Sequence, residues 1–179
     1  MGAAINGRTC DTCTACCFTH AVTAIAKPGS EWCPHCEIGS GCRIYAARPE
    51  QCREFSCLWL QGWASENDRP DRLKVVLGGI DVNVAGRRVR LVQFIETAMG
   101  AMDQDHLTEL IAMFRAKSFG ICIARLLPSG RHADATYEIP GGLLAADEVE
   151  LFKEALGKLE SSVIAVTDRH SSSRYRPAT

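Results

Sequence analysis

The sequence predicts an α+β protein in two parts, a cysteine-rich N-terminal part with little regular structure and a small mixed strand and helix half. Three observations point there. Nine of the ten cysteines lie between Cys10 and Cys57. From Leu73 to Ile95, apolar residues come in short strand-like runs. Leu107, Leu110, Ile111 and Phe114 then recur at i, i+3, i+4 and i+7, the spacing that places them on one helical face.

Residues 8–63 are rich in Cys, Gly and Pro and lack aliphatic periodicity, as in a segment folded around ligands rather than around a core. After a polar stretch at 65–72 the texture changes. Strands are expected at 73–77, 80–84 and 89–95, with Ala85-Gly86 as a hairpin turn. A helix over 105–117 packs on the sheet, and a further strand covers 121–127. Asp147 with Glu150 resembles a capping box opening a helix that buries Val149, Phe152, Leu156 and Leu159. Residues 163–166 add a last short strand. The units expected are therefore 8–63, 73–166 and a flexible tail at 168–179, whose end from Ser171 to Thr179 is poor in apolar residues. No internal repeat is visible.

With 46% hydrophobic and 23% charged residues and a formal charge of -1, the composition is ordinary apart from its cysteines. No apolar leader precedes Cys10, and no run is long enough to span a bilayer, so the expected location is the cytoplasm, with no membrane partner. Reducing conditions there favour metal ligation over disulfides. From Arg8 to Cys57, five basic residues face five acidic ones. Metal thiolates would make that segment net negative, so nucleic acid is not an expected partner.

The candidate metal ligands are Cys10, Cys13, Cys16, Cys17, Cys33, Cys36, Cys42, Cys52 and Cys57. A two-residue gap between cysteines lets a tight turn aim both thiolates at one ion, and zinc or an iron-sulfur cluster needs four such ligands. Two groupings satisfy the spacing. Cys13 and Cys16 with Cys33 and Cys36 form a two-knuckle zinc pattern. Alternatively, Cys10, Cys13 and Cys16 supply three corners of a 4Fe-4S cubane and a distant cysteine the fourth. Neighbouring side chains diverge, which assigns Cys16 and Cys17 to different centres, and nine thiols exceed the needs of one mononuclear site.

The pattern Cys10-x-x-Cys13-x-x-Cys16-Cys17 resembles the signature of the CxxCxxCC cysteine-cluster family, described as zinc- or iron-chelating. The stretch from Gly41-Cys42-Arg43-Ile44-Tyr45 through Arg48-Pro49 and Cys52-Arg53 to Cys57 resembles that family's second block. The resemblance spans residues 8–63. It implies metal ligation by Cys10, Cys13, Cys16, Cys17, Cys33, Cys42, Cys52 and Cys57, whereas Cys36 sits in an insert that the family pattern does not require. A related cluster in a flagellin lysine methylase that resembles an iron-sulfur enzyme keeps iron beside zinc.

Arg43, Arg48 and Arg53 are candidates to offset thiolate charge. His20 and His35 are expected beside the ligands rather than among them, and Trp59 and Trp63 in the junction between the two parts. Cys122, between Ile121 and Ile123, reads as a small buried hydrophobe. No acid, base or nucleophile set is recognisable in His132, Asp134 and Glu138. The function expected is metal binding through the cysteine cluster. The alternatives are an iron-sulfur component of a modification or redox enzyme, and a zinc-stapled adaptor for a protein partner.

Overall fold

The computed structural model describes residues 7–133, 135–141, 144–145, 148–163 and 174–177, the last two stretches from 158 onward by their backbone alone. Helices and strands are mixed along the chain. The cysteine-rich segment contributes α1 (Ala15–Thr19), a two-residue hairpin of β1 (Cys36–Glu37) and β2 (Gly41–Cys42), α2 (Glu50–Glu54) and short 3-10 turns. A one-turn α3 (Pro70–Leu73) leads into β3 (Val75–Val84) and β4 (Arg87–Glu96). There follow α4 (Asp105–Ala116), β5 (Gly120–Ala124), β6 (Thr136–Ile139), α5 (Glu148–Val163) and β7 (Arg174–Pro177). Among the described residues, no helix is long and apolar enough to cross a membrane.

Strands β3 to β7 form one sheet in sequence order. The pairs β3–β4 and β5–β6 are antiparallel, whereas β4–β5 and β6–β7 are parallel. Each parallel step is bridged by a helix, α4 for the first and α5 for the second, as a parallel connection requires. The tight β3–β4 turn has positive φ at both Ala85 and Gly86, 49° and 82°, as the twist of a two-residue hairpin demands.

Alternation along the strands separates the two faces. Val75, Leu77, Val92, Phe94 and Ile121 pack against Leu107, Leu110, Ile111 and Phe114 of α4. The opposite face is divided lengthwise. Val82, Val84, Val89, Leu91 and Cys122 lie under Phe152 and Leu156 of α5. At its other end, Val76, Ile95 and Ala124 are covered by Ala15, Cys57 and Trp59, with Cys13 and Phe55 beside them. The cysteine-rich segment thus completes the core of the sheet.

Several expectations are refined by this arrangement. The two strands expected at 73–77 and 80–84 are one continuous β3, because Gly78 and Gly79 are where the cysteine-rich segment lies close. A Cβ on Gly79 would stand 3.5 Å from Leu58, and one on Gly78 3.1 Å from the Gln93 amide and 3.9 Å from Phe55. The Leu58 N–H donates to the Leu77 carbonyl at 2.8 Å, so this segment runs along the outer edge of β3. Helix α4 ends one residue earlier than the 105–117 expected, and β5 stops at Ala124. Phe152 and Leu156 are buried as the period required, while Val149 is half-buried. Asp147, residues 164–166 and the Leu159 side chain lie outside the described residues, as does Asp134. In the stretch read as a tail, β7 pairs with β6 from Thr136↔Arg174 to Ile139↔Pro177.

Candidate metal centre

Local hydrogen bonding explains how the cysteines are brought to one region. Two of the three CxxC pairs close as β-turns, the Cys13 N–H donating to the Cys10 carbonyl at 2.6 Å and the Cys36 N–H to that of Cys33 at 2.9 Å. The Cys33 N–H bonds to the Cys17 carbonyl at 3.1 Å, docking the second turn on α1. In the β1–β2 hairpin, Cys36 stands opposite Cys42. Gly41 allows this hairpin to meet the first loop. Its φ is 130°, and a Cβ there would come within 3.0 Å of the Asp11 carbonyl oxygen. The Thr14 hydroxyl accepts from the Gly39 N–H at 3.2 Å, tying the hairpin to the start of α1.

None of the ten cysteines is in a disulfide. The Cys16 and Cys17 thiols are hydrogen-bonded to one another, and Cys17 is also hydrogen-bonded to the Cys36 thiol. The two sulfurs touch each other but have different further neighbours, Cys16 being within electrostatic reach of Cys10 and Cys13, and Cys17 lying against Cys36. Electrostatic reach links the rest, Cys57 to Cys10 and Cys13, and Cys52 to Cys17, Cys33 and Cys42. Cys122 belongs to the separate cluster under α5.

The thiols differ sharply in acidity. Cys17 is pushed down to about 6, chiefly by the hydrogen bond from Cys16, helped by Cys36 and Lys27 against the effect of burial. Cys16 is raised well above the usual thiol range by its hydrogen bond to Cys17 and by burial. Burial is the leading cause of the upward shifts at Cys10, Cys13 and Cys52, and of the rise to about 11 at Cys57 and about 12 at Cys36. Most of these sulfurs hold their protons firmly unless a cation shares the space.

Among the described residues, no three His, Cys, Asp or Glu side chains stand together in a group that could hold a metal ion. The donor set itself suits a thiophilic metal, being all sulfur, partly buried and linked thiol to thiol. Closing four of these thiols on one ion requires the turns to draw in further than they do here.

The residues expected around the ligands divide. Arg48 lies over the Tyr45 ring, 3.9 Å from guanidinium carbon to ring centre, within electrostatic reach of Cys10 and Cys52. Arg43 donates to the Pro34 carbonyl from an exposed position, and Arg53 is exposed. The His20 ring packs on Phe55 with centres 4.0 Å apart, and burial lowers its pKa to about 4, while its buried Nε2 has no hydrogen-bond partner among the described residues. His35 is half-exposed at the base of the β1–β2 hairpin. Trp59 is buried in the junction between Arg8 and Arg69, whereas Trp63 is 39% exposed with Lys117 over its ring.

Two residues near the cysteines carry more than sequence reasoning assigned them. Lys27, a single basic residue in an otherwise unremarkable stretch, is buried beside the cluster. His132 ties the cysteine-rich segment to the sheet. It bonds through Nδ1 to the Ser30 hydroxyl and through Nε2 to the Glu96 carbonyl, both at 2.6 Å. Nε2 faces a carbonyl and so carries the proton, leaving Nδ1 to accept from Ser30, a neutral imidazole whose pKa burial lowers.

Below the unfolded imidazole pKa of about 6.5, the unfolded chain takes up a proton that folded His132 resists, so stability present above that pH is lost as pH falls toward the lowered folded value, by up to about 1.4 kcal/mol per pH unit. Chemical denaturation at stepped pH should show a smaller acid loss in His132→Gln than in the wild type. Equal slopes would show that His132 is not held neutral.

A cavity of about 220 Å³ between Trp63, Phe119, Gly79 and the Arg90–Asp81 ion pair lies on the α4 face, away from the cysteines, and is smaller than pockets that take drug-sized ligands, roughly 300–1,000 Å³. Comparison with known proteins returns nothing: no protein-family model, curated protein or solved structure matches this chain.

Proposed function

We propose that residues 8–63 form a metal-binding module in which the nine clustered cysteines hold zinc or an iron-sulfur cluster, as in the CxxCxxCC family they resemble. The supporting observation is the gathering of thiols. Nine cysteines spread from residue 10 to residue 57 each lie in contact with, or within electrostatic reach of, another member of the set. Cys13 and Cys57 share an apolar cluster with the sheet, whereas Cys17, Cys36 and Cys42 meet around the β1–β2 hairpin. Two groups are therefore proposed: Cys10, Cys13 and Cys57 on the sheet side, and Cys17, Cys33, Cys36, Cys42 and Cys52 outside, with Cys16 between them. Zinc would supply cross-links alone, and an iron-sulfur cluster would add one-electron chemistry.

The stapled reading gains from the packing of Cys57 and Trp59 over Val76, Ile95 and Ala124. In that case metal fixes the cover of a sheet, and the surface so organised meets a protein partner. Protein produced and purified without oxygen decides between the metals. Bound zinc in a colourless protein supports the staple, and brown protein with iron and acid-labile sulfide supports the cluster. Metal-free protein that takes up neither zinc nor iron would overturn the proposal.

Individual ligands are tested by substitution. Cys13→Ser or Cys52→Ser should lower bound metal, whereas Cys122→Ala should leave metal content unchanged and cost on the order of 1 kcal/mol of stability. Full metal retention in separate Cys13, Cys16, Cys52 and Cys57 variants would sink the assignment.

A further inference from the structure

Lys27 is 4% exposed, a rare setting for an ammonium group. The backbone puts it there: Val22 and Lys27 form an isolated antiparallel bridge, and Ala26 at φ 50° turns the chain between them. Its Nζ donates to the Phe18 carbonyl at 3.0 Å and to that of His20, two oxygens left over at the end of α1. These bonds satisfy two of its three protons and none of its charge. Among the described residues no carboxylate pairs with it, and the charge partners around it are the sulfurs of Cys33, Cys17, Cys16 and Cys52. A buried cation without an anion is costly, and it persists where an anion is supplied.

We infer that Lys27 is the built-in counter-cation of the thiolate centre, offsetting the negative charge that Cys16, Cys17, Cys33 and Cys52 carry when they take a metal. The inference rests on the metal-binding reading above and adds a positioning residue that is not itself a ligand. Four thiolates on one divalent ion leave a net charge of about two negative, and a fixed ammonium within electrostatic reach of them stabilises that state in a partly buried site.

The test uses the intact reduced protein, with zinc affinity measured by competition against a chromophoric chelator and thiolate ligation followed by the sulfur-to-metal charge-transfer band of Co²⁺. Lys27→Met should keep the cobalt band of the wild type and bind zinc about ten- to a hundred-fold more weakly. Lys27→Arg, which restores the charge, should recover affinity. Equal zinc affinity in wild type and Lys27→Met would overturn the inference, leaving Lys27 as a cap on α1. Should Lys27→Met fail to fold, Lys27→Arg decides alone: near wild-type affinity supports the counter-cation, and loss of affinity with the cobalt band intact overturns it. A wild-type protein that binds neither zinc nor cobalt would overturn the metal reading itself, an outcome distinct from failure of the lysine.

Discussion

Removing metal under reducing conditions should abolish amide protection from Cys10 to about Tyr45 while leaving α4 and the centre of the sheet protected. The first stretch has helices and strands of only two to five residues, and its order comes from turns and single hydrogen bonds around the thiols. Such a segment has little apolar burial with which to offset its chain entropy once the cross-links are gone. The sheet has its own core on the α4 face, where Phe94, Leu107 and Phe114 are fully buried. The boundary should fall inside the cysteine-rich segment rather than at its end, because Leu58 is bonded to the edge of β3 and Trp59 is packed in the junction. Hydrogen exchange before and after chelation reads this directly. Uniform loss across both regions would mean one cooperative unit, and unchanged protection from Cys10 to Tyr45 would mean that metal does not hold it.

Phe114→Ala should have the opposite profile. The ring is fully buried against Phe94 and Phe119, with edge contacts at centre distances of 6.2 and 5.7 Å. Truncation removes its burial and leaves a cavity between α4 and the sheet, at a cost of about 3–5 kcal/mol. Metal stoichiometry of the folded fraction should be unchanged, since the α4 face carries none of the nine cysteines. Denaturant unfolding with metal analysis of the same samples checks both halves. A destabilisation below about 1 kcal/mol would contradict the packing described for this face.

The elements that were legible in sequence are those with long periods and one buried face. Helix α4 showed itself through Leu107, Leu110, Ile111 and Phe114, and the β3–β4 turn through Ala85-Gly86. The continuity of β3 was hidden by Gly78-Gly79, which read as a break because nothing local reveals Phe55 and Leu58 lying against it. Candidate ligands were legible because cysteines at two-residue gaps are chemically unusual. Their surroundings were not: Lys27 and His132 have no periodic signature, and what each does depends on residues such as Phe18, Ser30 and Glu96, brought near by the fold. The contact between the Cys16 and Cys17 thiols was not legible either, because it depends on how the chain turns into α1 at Ala15.

The central claim, that the clustered thiols are metal ligands, is tested most directly by X-ray absorption at the metal edge of protein purified without oxygen. The account predicts a first shell dominated by sulfur, at about 2.3 Å if the metal is zinc. A first shell of oxygen and nitrogen, with the nine thiols still reactive toward alkylating reagent, would contradict it.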